Sequence, residues 1–195
     1  MALKFIKLFE QFNDEYDDEY DDTLDGIEEH DFTDYEKAQE GGFWGSKASG
    51  ILPIAKDTGK ILIGLRSQDV NEPLTWGNFG GAIGLADDGS EEDELSPSDN
   101  ARKEMMEEIA YTGSMKVVDS YVFEKDDFIY YNFLGIISNQ HDISKDNTQL
   151  NWEVDELKWV ELDELVNHPD LHFGIQGLLD NSYDQIKAIV EKIKN

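Results

Sequence analysis

The spacing of apolar and polar residues changes character several times along this chain, and each change predicts an element. Near the start, Leu3, Phe5, Ile6, Leu8, Phe9 and Phe12 recur close to the helical period, which predicts a short amphipathic helix over 3–12. The segment "NDEYDDEYDDTLDGIEEHD" that follows is a block of like charge and reads as a linker without a core of its own. From "GGFWGSKASG" onward the pattern is that of a folded domain. "GILPIAKDTGKILIGLRS" reads as two strands about a turn at Asp57-Thr58-Gly59. "LTWGNFGGAIG" gathers Gly77, Gly80, Gly81 and Gly84, and "LADDGSEEDELSPSD" is an acidic, turn-forming, exposed loop. A helix is predicted over 99–110, with Ser98 or Asp99 available as its cap. "MKVVDSYVFEKDDFIYYNFLGIIS" reads as two strands joined at Lys125-Asp126-Asp127, "ELKWVEL" as a further strand, and "DELVNHP" as a short helix stopped by Pro169. A closing amphipathic helix over 181–194 sets Ile186, Ile189, Val190 and Ile193 on one face. Strands, one internal helix, more strands and a final helix predict an α+β, or mixed α/β, sandwich. The expected organisation is an acidic extension over 1–42 and a single domain over 43–195.

Charge narrows the function. The 195 residues carry 44 acids against 16 Lys and Arg, for a net charge of -28. Such a surface repels nucleic-acid backbones, whose partners neutralise phosphates with Lys and Arg, so no nucleic-acid duplex is expected as a partner. Anionic membranes are disfavoured for the same reason, and no run approaches the roughly 18 apolar residues of a membrane span. A small phosphorylated substrate is compatible if divalent cations bridge it to the protein, and Mg²⁺ prefers oxygen ligands of the kind abundant here. The chain has no cysteine, which excludes disulfides and thiolate metal sites. "MALKFIKLFEQF" lacks the apolar run and small-residue cleavage pattern of a signal peptide, and a cytoplasmic location is expected. The helix in that stretch needs a surface to dock on, either this domain, a second copy in a homodimer, or a protein partner.

The predicted internal helix carries the densest chemistry. In "ARKEMMEEIA", Glu104, Glu107 and Glu108 fall at i, i+3, i+4 and cover an arc of roughly 100° on a helical wheel, with Met105, Met106 and Ile109 on the other side. Like charges at this spacing destabilise a helix by a few tenths of a kcal/mol, a cost that a cation between them offsets. Taken alone, the trio is equally consistent with a solvated acidic face. Its surroundings shift the reading: "WGNFGGAIG" lies ahead of it, where glycines let a backbone approach a ligand closely, and "WEVDELKWVELDEL" behind it offers more carboxylates.

In that order these segments resemble the Nudix hydrolase signature, G-x5-E-x7-R-E-U-x-E-E-x-G-U with U a bulky aliphatic residue. "KEMMEEIAY" is similar to its second half, with Glu104, Met105, Glu107 and Glu108 matching position by position. "TWGNFGGAIG" is similar to the glycine-rich segment that opens it, with Phe79 where the family has proline and Gly81 as the first glycine. The late "WEVDELKWVELDEL" resembles the family's tryptophan-bearing strand and short helix. The resemblance spans about residues 47–194. Departures are Lys103 for arginine, Asp87 at the first glutamate position, eight extra residues between Asp87 and Lys103, and Ala110 for glycine, with Gly113 a candidate to end the helix later.

The resemblance implies a Nudix-type α/β/α sandwich with a mixed central sheet. It implies a Mg²⁺- or Mn²⁺-dependent pyrophosphohydrolase that cleaves a nucleoside diphosphate linked to another moiety. Glu104, Glu107 and Glu108 are its expected metal ligands and catalytic groups, with the carbonyl of Gly81 as a further ligand. The general base is left open between Glu104 and a later glutamate; Glu153 is in the position of such a residue, and Glu156 competes with it. Arg66, at a strand end, is expected to face substrate phosphate. Phe79 and Tyr130 are candidates to stack a base, although each is also a natural core residue; the histidines show no metal-ligand spacing. Lys103, Ala110 and the insertion keep a second reading in play, a catalytically weak or silent Nudix-type domain that binds a nucleotide or a protein.

Overall fold

A computed structural model describes residues 47–85, 95–125, 127–144 and 148–194. The predicted N-terminal helix, the acidic linker and Asp87 lie outside these residues. Seven strands make one mixed sheet: β1 (Lys47–Ala55), β2 (Ile61–Arg66), β3 (Trp76–Gly77), β4 (Phe79–Ala82), β5 (Met115–Lys125), β6 (Phe128–Ile137) and β7 (Val154–Val160). The main path runs β3-β2-β1-β6-β5, while β4 pairs with β1 and β7 with β2. β1 and β6 run parallel over nine pairs, from Lys47↔Ile129 to Ala55↔Ile137; the other pairings are antiparallel. Among the described residues three α-helices flank the sheet, α1 (Pro97–Ile109), α2 (Leu162–Val166) and α3 (Phe173–Lys194).

Both faces of the sheet are covered, so the central strands are apolar at successive positions. In β1 and β6, Leu52, Ile54 and Leu134 point to one side and meet Ile175, Leu178, Ile186 and Val190 of α3. Ile51, Phe133 and Ile137 point to the other and meet Ala101, Met105 and Ile109 of α1. The period-2 alternation of the strands thus feeds two separate cores, one under each helix layer. This is the α/β/α sandwich with a mixed sheet that the family resemblance implies.

Several boundaries differ from the sequence expectation. The closing helix begins at Phe173 rather than 181, and its buried positions Ile175, Leu178, Ser182, Ile186 and Val190 form one continuous stripe. Gly174 and Gly177 lie within its first turns, where each costs about 1 kcal/mol relative to alanine, offset by the packing of the buried stripe. The glycine-rich "TWGNFGGAIG" supplies the two short strands β3 and β4. α1 starts two residues early, with Pro97 in its first turn and Ser96 as its cap; Ser96 Oγ accepts from the Asp99 amide at 3.2 Å. It also stops at Ile109, not at Gly113: Ala110 takes the left-handed conformation that ends the helix, at φ 53°.

Candidate functional site

Helix α1 and strand β4 are brought together by glycine. Gly80 sits opposite Gly50 of β1, and Gly81 opposite Ser49. A Cβ on Gly80 would come within 2.6 Å of the Gly50 Cα, and one on Gly81 within 2.6–2.9 Å of the Glu104 carboxylate. The first contact is with backbone and cannot be relieved, so Gly80 must lack a side chain for the strands to close; the second would displace the Glu104 carboxylate from its place beside the Gly81 backbone. The product of that closeness is a row of backbone groups lying against the acidic face of α1.

Two of the three helix glutamates face inward there. Glu104 and Glu108 are 5% and 6% exposed, which is rare for carboxylates. Glu108 Oε1 accepts from the Gly80 amide at 2.7 Å. Glu104 Oε1 accepts from Asn100 Nδ2 at 3.3 Å; the same nitrogen reaches Ser49 Oγ at 3.1 Å and the Gly81 carbonyl at 3.5 Å. Burial pushes the Glu108 carboxyl well above the usual carboxylate range, and the neighbouring charges of Glu153 and Glu104 push it further; the Gly80 hydrogen bond and Arg66 pull the other way. Glu107 is turned to Lys103, whose Nζ lies 2.9 Å from its Oε2. Lysine therefore fills the signature's arginine position as a point charge on the adjacent turn.

Glu153 joins from the sheet. It precedes β7 and is fixed by an Asn151 side chain, whose Oδ1 accepts from the Glu153 amide at 3.0 Å and whose Nδ2 donates to Glu153 Oε2 at 3.1 Å. The Asn151 amide in turn donates to the Glu108 carbonyl at 3.0 Å, and the Ser67 amide to the Glu153 carbonyl at 2.9 Å. Glu156, the competing carboxylate, is exposed on β7 opposite Leu65. Arg66 ends β2, donates from Nε to the Asn71 carbonyl at 2.9 Å, and its charge acts on Glu108, Glu72 and His172.

The two aromatic candidates sit differently from the expectation. Phe79 is fully buried in the core beneath α1, with no face open to a base, so its stacking role is replaced by a packing one. The Tyr130 hydroxyl lies against Gly50 and Gly80, and burial raises its phenol above the ordinary range. It packs the strand pair under the carboxylates. The sequence reading did not single out Asn100, His172 or Glu72. Asn100 had one usable signal: it lies four residues before Glu104, on the side of the helix that otherwise packs. His172 caps α3 by accepting from the Gly174 amide at Nδ1, 3.1 Å away, with Nε2 3.6 Å from Glu72 Oε2. The pairing spans about a hundred residues and leaves no local pattern.

The donors available are oxygens: the carboxylates of Glu104, Glu108 and Glu153 and the Gly81 carbonyl. Among the described residues no three acidic or histidine side chains close on one point by themselves. The set nevertheless fits a hard divalent cation, because buried carboxylates that repel one another are relieved by one, and carbonyl or water oxygens complete its shell.

The fold is a mixed-sheet sandwich in which buried carboxylates grip a glycine strand pair. A sequence model of the NUDIX domain matches residues 46–181, and the chain belongs to the Nudix family, whose hydrolases act on phosphoanhydride bonds. Three solved structures share the fold. The chain is 20% identical to a Nudix hydrolase from M. Smegmatis, RenU, over 77% of this chain and 89% of that one, with a TM-score of 0.55. It is 15% identical to the NUDIX domain of Shewanella oneidensis NrtR, complexed with ADP ribose, over 72% and 87%, with a TM-score of 0.54. For the MutT protein from Methanosarcina mazei Go1 the values are 16%, 76% and 95%, and 0.53. No curated protein matches the chain. Among the described residues no helix is long and apolar enough to cross a membrane.

Proposed function

We propose that the protein hydrolyses the pyrophosphate bond of a small nucleoside diphosphate derivative in the cytoplasm, with Mg²⁺ or Mn²⁺ held by Glu104, Glu108, Glu153 and the Gly81 carbonyl. The observation that carries this is the pair of buried carboxylates, Glu104 and Glu108, set one turn apart against the glycine strand pair. When bound, the cation neutralises phosphate charge and makes water a stronger nucleophile. Glu153 is the general base of this reading. It is the least buried of the three and is aligned through Asn151, so it can take a proton while Glu104 and Glu108 remain ligands. Water attacks one phosphorus, the bridging P–O bond breaks, and the other phosphate departs with the electron pair. Arg66, at the edge of the same cluster, supplies positive charge for the substrate's phosphates. Glu107, held by Lys103, supports the acidic face from the side.

The test is a panel of nucleoside diphosphate derivatives incubated with Mg²⁺ or Mn²⁺. Phosphorylated product is expected from at least one, and Glu108→Gln should lower its rate by two or more orders of magnitude. No release from any member, or unchanged turnover in the variant, refutes the proposal; the first outcome favours a silent domain that binds a nucleotide or protein without cleaving.

A further inference from the structure

Asn100 occupies a helix position that an apolar side chain would ordinarily take. It is 2% exposed, beside the core residue Ala101 and one turn before Glu104. A buried amide is costly unless its polar atoms are used, and the Asn100 side chain lies at a junction where three oxygens meet. Its Nδ2 is 3.1 Å from Ser49 Oγ, 3.3 Å from Glu104 Oε1 and 3.5 Å from the Gly81 carbonyl. Ser49 is fully buried and is the register partner of Gly81 across β1 and β4. One side chain from the helix therefore reaches the strand pair, the carbonyl and the carboxylate together.

We infer that Asn100 is a positioning residue, which sets the orientation of the Glu104 carboxylate and the Gly81 carbonyl for a divalent cation. The inference rests on the reading of this cluster as a cation site. Holding Oε1 fixes rotation about the Glu104 Cγ–Cδ bond and turns Oε2 toward the Gly81 backbone, where an added Cβ would lie 2.6 Å from it. The carbonyl and carboxylate oxygens repel each other through their negative ends, and an N–H group between them relieves that repulsion. An amide does so without adding charge to a site that already has three acids. An aliphatic residue at 100 would fill the space but remove the N–H donor from Glu104 Oε1 and the Gly81 carbonyl, and an aspartate would bring a fourth negative charge. Outer partners of metal ligands act in this way by fixing orientation, and losing one commonly weakens metal binding about 10–100-fold.

The test is Mn²⁺ binding to the full chain, followed by the loss of the free-ion electron paramagnetic resonance signal, in wild type and Asn100→Ala. The dissociation constant should rise about tenfold or more in the variant. A helix that merely packs less well would not produce that change in a protein that remains folded. In parallel, wild type labelled with ¹⁵N-asparagine is titrated with Mg²⁺. One side-chain amide, absent from the Asn100→Ala spectrum, should shift with the midpoint of metal binding. Mn²⁺ affinity within twofold of wild type overturns the inference and leaves the cation site standing. No Mn²⁺ binding by wild type overturns both. If Asn100→Ala does not fold, the wild-type titration decides once the Asn100 side-chain amide is assigned by its proximity to Ser49 and Glu104 protons and told apart from that of Asn151: its shift supports the role, and its failure to respond overturns it.

Discussion

Replacing Glu108 by glutamine should stabilise the metal-free protein and destabilise the metal-loaded one. The carboxyl is 6% exposed, and its charge is opposed by burial and by Glu153 and Glu104. A buried charge without full compensation costs about 1–3 kcal/mol or more. Glutamine keeps an oxygen for the Gly80 amide, now 2.7 Å from Oε1, but loses the charge assistance of that bond, worth about 1 kcal/mol. The net gain is then up to about 2 kcal/mol, or up to roughly 8 °C in Tm for a domain of this size. The sign follows from linkage. The folded-state pKa is raised, so the folded protein holds this proton more tightly than the unfolded chain. The group's stabilising contribution is complete below the ordinary carboxyl range near pH 4.5 and is lost as pH rises through the folded value. The advantage of glutamine should therefore appear at pH 8 and vanish near pH 4. A cation at a hundred times its dissociation constant adds about 2.7 kcal/mol to wild type, and much less to a variant lacking one ligand, so the order of Tm reverses on adding Mn²⁺. Thermal unfolding in EDTA and in Mn²⁺, at both pH values, reads all of this. A lower Tm for Glu108→Gln in EDTA at pH 8, or equal Mn²⁺ stabilisation of both proteins, would refute the reasoning.

Two further outcomes follow from the backbone and from the α3 cap. Ala110 holds φ 53°, where an L side chain is strained by about 1–2 kcal/mol, so Ala110→Gly should raise stability by about 0.5–1 kcal/mol after the entropy of the freer unfolded chain is subtracted; denaturant titration measures it. Burial and the Arg66 charge hold His172 well below its ordinary pKa of 6.5, so the unfolded chain takes up a proton there that the folded one refuses. Its contribution is present above pH 6.5 and is lost as pH falls toward the folded value. Wild type should lose stability relative to His172→Asn, which retains a capping acceptor, between pH 7 and 5; parallel curves would exclude this role.

The strands and the packed helix faces are legible in the sequence because apolar runs and helical period are local signals; that the adjacent Ile51 and Leu52 of β1 serve opposite cores, as do Phe133 and Leu134 of β6, follows from the pleat once the strands are placed. The acidic face of α1 is legible for the same reason. What the period does not carry is which acids turn inward. Glu104 and Glu107 lie equally well on the predicted arc, yet one is buried against Gly81 and the other pairs with Lys103, because the glycine strand approaches from only one side. Phe79 shows the limit of residue-type reasoning, since an aromatic beside a glycine pair can face a ligand or the core, and only the pairing of β4 with β1 decides. The first two turns of α3 contain Gly174 and Gly177, poor helix formers, and are held by the tertiary packing of Ile175 and Leu178 rather than by local propensity. The link from Asn151 to Glu108, and so the placement of Glu153, joins residues 43 positions apart and has no local signature.

Glu108 engages two parts of the molecule through different atoms. Its side chain grips Gly80, while its peptide carbonyl receives the amide of Asn151, the residue that aligns Glu153. Substitution changes the first contact and leaves the second in place, because every amino acid supplies the same carbonyl. Variants at 108 thus separate the electrostatics of the helix from the placement of the base, and a series from aspartate through glutamine to alanine becomes a graded readout of charge and reach with Glu153 as a constant background.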